Sequence, residues 1–178
     1  MKTALGIDSS TSSTGVVLLQ GDKETAPVCL RENIVKAPSK LKGMDRHRHL
    51  VTDLMEIIHE TQPDRIVIEG YSLNMKNASS VVPLVELGGL LRFMMYLDEL
   101  QWLDPRAPEL KKFVTGKGTA PKEAMMMHVL KRWGHEPQNN DTADAYGLAC
   151  MGLLHVGALS NATKEQREVV GAVPLKCN

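Results

Sequence analysis

The sequence predicts an α/β domain built on a central mixed sheet of five strands, the first three antiparallel, flanked by helices. Two observations carry this. Short runs of β-branched and apolar residues crowd the first 36 positions and are separated only by turn residues. Beyond residue 43, segments of helical period alternate with brief apolar runs, the pattern of strands joined by crossover helices. The 178 residues, 43% hydrophobic and 24% charged, suit one packed domain. We place that domain at 1–157 and read 158–178, which has little periodicity, as a loosely held tail.

Taken in order, residues 3–8 and 14–20 read as strands joined by a Ser/Thr-rich turn. A third strand follows near 28–36, across a turn at Gly21–Asp22. Residues 44–61 space Leu50, Leu54, Ile57 and Ile58 helically, with Pro63 just beyond the end. "DRIVIEG" (64–70) is a buried strand ending at Glu69. A long helix spans 79–100, capped by Ser79 or Ser80. "QWLDPRA" supplies the fifth strand, and the Lys- and Gly-rich "PELKKFVTGKGTAPK" reads as a connection. Helices at 121–133 and 141–157 follow, the last capped by Asn139 or Asn140. The strands at 64–69 and 102–106 run parallel to the first.

Formal net charge is zero, so no global basic signature marks a nucleic-acid binder, although local patches govern phosphate contacts. Cys29, Cys150 and Cys177 are widely spaced without a CxxC pair, which argues against a disulfide framework or a zinc site. A reducing cytoplasm is the expected compartment. The start shows no signal-peptide pattern. No apolar stretch reaches the ~20 residues that span a bilayer, so no membrane association is expected.

Four acids break the patterning rules. Asp8 ends the first strand, Glu69 ends the buried "IVIE" run, and Asp141 and Asp144 open the last helix three residues apart, on one face. Singly, each has an ordinary explanation: Asp8 as a turn-forming residue, Asp141 as a helix-start acid. Glu69 is harder to explain, because burial is expected directly after "IVI". If the first and fourth strands are neighbours, these carboxylates gather, repel and call for cations. Mg²⁺ suits such an oxygen set, and two ions can flank a phosphodiester in line.

"LGIDSSTSSTG", "IVIEGYSLNMKN", "LKKFVTGKGTAPK" and "NNDTADAYGLA" together resemble the RuvC-type Holliday junction resolvases of the RNase H-like nuclease superfamily. The resemblance runs from residue 3 to about 155 and looks closest to bacteriophage members. It implies an RNase H-like fold with Asp8, Glu69, Asp141 and Asp144 as both metal ligands and catalytic groups. Lys111 and Lys122 match two basic catalytic residues. The stretch with Asn74, Lys76 and Asn77 aligns with a junction-contacting segment, and Tyr71 is the candidate for a DNA-stacking aromatic. One departure is Ser9–Ser10, where bacterial relatives commonly have Pro-Gly. The implied activity is paired nicking of four-way junctions with Mg²⁺, or Mn²⁺ in its place, leaving 5′-phosphate and 3′-hydroxyl ends. Other branched DNA or RNA–DNA hybrids are alternative substrates, and a non-catalytic junction-binding protein is a third reading.

Basic residues are uneven. Lys111, Lys112, Lys117 and Lys122 surround the Gly-flanked "TGKGT", whose backbone and lysine suit a phosphate, so Lys112 and Lys117 join the expected DNA contacts. The helix at 79–100 is apolar on more than one face, and Gly88–Gly89 permits close approach of another backbone. The resemblance places a homodimer interface on that helix, a symmetry that matches a four-way junction. His47, His49 and His59 read as solvent-facing.

Overall fold

The computed structural model describes residues 1–71 and 78–176, with backbone alone at 78–80. Three strands, β1 (Lys2–Asp8), β2 (Thr14–Gly21) and β3 (Val28–Val35), form an antiparallel meander, followed by α1 (Gly43–Thr61) and β4 (Arg65–Ile68). Then come α2 (Ala78–Leu97), β5 (Trp102–Leu103), α3 (Ala107–Thr115), α4 (Ala124–Trp133), α5 (Asn140–His155), α6 (Lys164–Gly171) and β6 (Leu175–Lys176). The sheet order is β3-β2-β1-β4-β5-β6, with β4 and β5 parallel to β1.

Strand alternation divides the core in two. Leu5, Ile7, Val16, Leu18, Ile66 and Ile68 face α1 and α2. Ala4, Val17, Leu19, Val67 and Leu103 face α3, α4, α5 and α6. Within the second layer α5 is the central helix, buried from Thr142 to Leu154 except for the half-buried Asp144. It lies unusually close to the sheet because glycines remove side chains at the crossing points. A Cβ on Gly6 would run into the Ala145 carbonyl oxygen and the Ala149 amide nitrogen, and one on Gly15 into the Asp141 carbonyl.

Four expectations change. The sheet has six strands rather than five: β6 pairs antiparallel with β5, Trp102 against Lys176 and Leu103 against Leu175. Residues 158–176, expected to be a loose tail, hold α6 and this strand, and Ala158, Leu159, Val169, Val170 and Val173 are buried. Thr163 starts α6 with a reciprocal cap, its hydroxyl accepting from the Gln166 amide at 3.2 Å while Gln166 Oε1 accepts from the Thr163 amide at 3.0 Å.

The Lys/Gly-rich connection contains α3. Glu109 Oε2 accepts from the Arg106 amide at 2.8 Å, and Leu110, Phe113 and Val114 are buried at helical spacing. Lys111 and Lys112 lie between these positions, half-buried and exposed respectively, which is why the segment reads as polar. His47, finally, is buried rather than solvent-facing, beneath α2 and 3.9 Å from Glu86.

Candidate metal centre

Parallel pairing of β1 with β4 sets Ile7 beside Ile68, and the Glu69 amide donates to the Ile7 carbonyl at 3.1 Å. Asp8 and Glu69 therefore leave the sheet side by side, at the carboxyl ends of neighbouring strands. The third contribution comes from α5, whose start is fixed by Asn139. Asn139 Oδ1 accepts from the Thr142 amide at 3.0 Å, and Thr142 Oγ1 accepts from the Asn139 amide at 3.2 Å. Because Gly15 lies opposite Asp8 in the β1–β2 ladder and touches α5 at Asp141, the first turns of α5 meet the end of β1.

Carboxylate oxygens of Asp8, Glu69 and Asp144 all come within 4.8 Å of one another. Asp141 stands beside this trio and is held by other partners: Oδ2 accepts from the Ser13 hydroxyl at 2.8 Å, and Oδ1 lies 3.6 Å from Lys122 Nζ. Lys111, from α3, completes the lining together with Ser9 and Ser10 of the β1–β2 turn, around a cavity of about 400 Å³.

The electrostatics show how unfavourable this gathering is without a cation. Burial pushes the Asp8 carboxyl well up, and the charges of Glu69 and Asp141 push it further. Burial also raises Glu69, opposed by a hydrogen bond from Asp8. Asp144 is pushed up to about 7, chiefly by burial and then by Asp8, against the pull of Lys122 and Lys111. Carboxyl oxygens so arranged are a hard donor set that fits a divalent cation.

A pH prediction follows for the metal-free protein. Between the ordinary Asp value of 3.8 and about 7, the folded chain keeps a proton on Asp144 that the unfolded chain has released. The stabilisation this gives is complete below 3.8 and is lost as pH rises through about 7. In chelator, the wild-type melting temperature should therefore fall relative to Asp144→Asn across that window. Parallel pH curves for the two proteins would contradict the assignment.

The remaining expected contacts are scattered. Tyr71 lies at the cavity rim, with its ring 4.6 Å from the Arg92 guanidinium carbon and its hydroxyl donating to the Val85 carbonyl at 3.3 Å. Lys112 lies 3.6 Å from Glu165 on α6 and does not line the cavity. Lys117 sits in the α3–α4 turn, also outside the lining, with its amide donating to Thr115 Oγ1 at 3.1 Å. Asn74, Lys76 and Asn77 lie outside the described residues.

Sequence reasoning missed two groups. Ser13 is hidden among similar residues in the turn, and only the fold shows that it reaches Asp141. Arg92, on α2, donates from Nη2 to the Glu69 carbonyl at 3.1 Å and from Nη1 to the Gly88 carbonyl at 3.1 Å. A Cβ on Gly88 would meet both Arg92 and the Tyr71 ring. The available signal was an arginine four residues after a glycine, inside a mostly apolar helix.

Comparison with known proteins agrees with this geometry. Residues 4–152 match the family model described as "Crossover junction endodeoxyribonuclease RuvC". The protein of that name from Chlorobium phaeobacteroides is 34% identical over 158 residues, covering 86% of this chain and 82% of the relative. Its counterpart from Carboxydothermus hydrogenoformans is 27% identical over 157 residues, covering 87% and 98%. Among solved structures, Thermus thermophilus RuvC in complex with a Holliday junction substrate superimposes with a TM-score of 0.72 at 14% identity, covering 87% of this chain and 96% of the other. The yeast mitochondrial Holliday junction resolvase Ydc2 gives 0.60 at 14% identity, covering 82% and 75%. At these identities the two structures speak for the fold.

Proposed function

The chain belongs to the RuvC family of crossover junction endodeoxyribonucleases, and on that premise we propose that it is a metal-dependent nuclease that makes paired nicks in four-way DNA junctions. The convergence of Asp8, Glu69 and Asp144 at the carboxyl ends of β1 and β4 and the first turns of α5 carries this reading. Asp8, Glu69, Asp141 and Asp144 would together hold two Mg²⁺ ions, or Mn²⁺ in their place. When bound, such ions supply Lewis acidity and lower the pKa of water for attack on phosphorus.

The chain's own groups divide the remaining work. Lys122 and Lys111 bring positive charge against the scissile phosphate, offsetting charge that builds on its oxygens as the 3′-oxygen departs. Ser13 orients Asp141 through its hydroxyl, and Arg92 fixes the backbone of Glu69. Ser9 and Ser10 keep bulky side chains out of the cavity mouth. Tyr71, Lys112 and Lys117, with Asn74, Lys76 and Asn77, are assigned to the DNA around the scissile bond. The products would carry 5′-phosphate and 3′-hydroxyl ends, which a ligase can seal.

The working form in this proposal is a homodimer joined through α2. Phe93, Tyr96, Leu97 and Val82 are more than half exposed on that helix. An apolar cavity of about 720 Å³ opens between α1 and α2, lined by Met44, Val51, Met55, Leu90, Phe93 and Met94. Apolar surface of this extent suits a protein interface. Phe93→Glu should shift the chain from dimer to monomer in light scattering; a wild type that is already monomeric at micromolar concentration would overturn the dimer.

No helix among the described residues is long and apolar enough to cross a membrane. The proposal puts the protein in a cytoplasm, that of a bacterial host if the chain is phage-encoded. The substrate assignment is tested by comparing a synthetic four-way junction, a flap, an RNA–DNA hybrid and linear duplex in Mg²⁺. Preferential, paired nicking of the junction supports it. Equal or faster cutting of the hybrid or flap would move the assignment to the broader nuclease reading.

A further inference from the structure

A second cluster of ligand-type side chains lies on β3 and the loop that follows α4, and it is softer in character than the acids. Cys29, Glu32 and His135 bring a thiol, a carboxylate oxygen and an imidazole nitrogen within 4.8 Å of one another. We propose that Cys29, Glu32 and His135 form a Zn²⁺ site.

Strand geometry creates the cluster. Residues three apart in a regular strand point to opposite faces. Here the β2–β3 ladder pairs Leu18 with Arg31 and Leu19 with Cys29, so Leu30 is a bulge. Arg31 consequently faces α1, where it meets Glu60 at 3.0 Å. Cys29 and Glu32 both turn to the opposite layer, with the side chains of Leu19 and Val17. His135 arrives from α4, just after Gly134, whose φ of 71° ends the helix in the left-handed region. Its Nε2 lies 2.9 Å from Glu32 Oε2.

A separate observation points to an occupant. The Tyr146 hydroxyl is wholly buried and has no hydrogen-bond partner, an arrangement that costs stability. The His135 ring stacks on the Tyr146 ring at 4.6 Å, and the ionisable groups that act on the hydroxyl are Cys150, Cys29 and Glu32. The orphan group thus sits at the cluster, where a water in the fourth position of a tetrahedral ion could pair with it.

The donor chemistry selects the metal. Thiolate, imidazole and one carboxylate suit Zn²⁺, whereas Mg²⁺ prefers the oxygens of the acidic centre. Zn²⁺ at ordinary bond lengths needs neighbouring donors roughly 3.3–3.8 Å apart, so the thiol closes by roughly 1–1.5 Å at most, while the imidazole–carboxylate pair, at 2.9 Å, opens slightly. Binding releases the Cys29 thiol proton and exchanges the His135–Glu32 hydrogen bond for two metal bonds, the neutral imidazole's proton passing from Nε2 to Nδ1 through solvent.

The site bears on the acids without touching them. Glu32 Oε1 also accepts from the Gln138 amide at 2.8 Å, one residue before the Asn139 cap of α5. An ion here would fasten β3 to the loop that sets where α5, with Asp141 and Asp144, begins. Cysteine spacing argued against zinc because it holds no CxxC pair, and only the fold brings Glu32 and His135 to Cys29.

The test uses the full chain, stripped of metal and titrated with Co²⁺. Wild type should develop the near-ultraviolet absorption of a thiolate–cobalt bond, saturating at about one equivalent per chain and displaced by Zn²⁺ but not by excess Mg²⁺. Cys29→Ser, a nearly isosteric change, should lose the band with an unchanged circular dichroism spectrum. Asp8→Asn and Cys177→Ser should keep it, which separates this site from the acidic centre and from the C-terminal thiol. No band in wild type at excess Co²⁺, or a band that survives Cys29→Ser, would overturn the proposal.

Discussion

Asp8→Asn is expected to lower nicking of a four-way junction by at least about a hundredfold while leaving the fold as stable as wild type, or more so. The two effects have one cause. Asp8 is buried and its carboxyl is pushed well up by that burial and by the charges of Glu69 and Asp141. An amide at this position cannot repel them, so folding loses an opposing term in the absence of metal. The same amide is a poorer cation ligand and leaves Glu69, Asp141 and Asp144 to hold the ions without it. Junction binding should persist, because phosphate contacts come from basic groups elsewhere. A gel-shift, a nicking assay and a thermal melt on the same preparation check all three parts. Nicking at the wild-type rate would remove Asp8 from the site, and a strongly destabilised variant would refute the electrostatic account of the cluster.

The largest stability effect is expected where the sheet and α5 touch. Gly6→Ala and Gly15→Ala each place a methyl group against backbone, at the Ala145 carbonyl in one case and the Asp141 carbonyl in the other. Backbone atoms of a buried helix cannot rotate away as a side-chain end can, so the helix must shift. Overpacking of this kind costs about 1–3 kcal/mol and occasionally more. For a chain of this size each kcal/mol lowers the melting temperature by roughly 2–4 °C. Gly15→Ala should also depress nicking beyond its effect on stability, because it moves Asp141 and Asp144 relative to Asp8. Calorimetry and nicking well below the melting temperature separate the two contributions. A melting temperature unchanged in both variants would mean that α5 has room to spare, contrary to the contacts described.

Much of this was legible in the residues, for physical reasons that can be named. Asp8 and Glu69 stood out because a carboxylate directly after an apolar strand contradicts the patterning that builds the strand. Their meeting follows from one inference, that β1 and β4 are parallel neighbours, and the ladder pairing Ile7 with Ile68 agrees with it. The cap of α5 was readable to within one residue, as Asn139 or Asn140, and Asn139 makes it.

The rest depended on long-range contacts that local pattern does not encode. Helix α3 was missed because Lys111, Lys112 and the flanking glycines outweighed the three buried positions on its inner face. Strand β6 has only two residues, and its existence depends on the open edge of β5. Arg92 and Tyr71 illustrate the same gap from opposite sides. An arginine in an apolar helix drew no attention, yet it holds the Glu69 backbone. The tyrosine expected to stack on DNA has one ring face under that arginine and its hydroxyl on Val85. Cys29, Glu32 and His135 show it most clearly, because a single bulge at Leu30 decides which way Cys29 points.

The most direct test of the central claim, that these carboxylates are a metal centre acting on junction DNA, is cleavage of a synthetic four-way junction with metal titrated from zero and cuts mapped on all four strands. We expect no cleavage in chelator, onset with Mg²⁺ or Mn²⁺, and nicks paired symmetrically across the junction. Cleavage that is indifferent to metal, or a junction left intact at saturating Mg²⁺ and Mn²⁺, would contradict it.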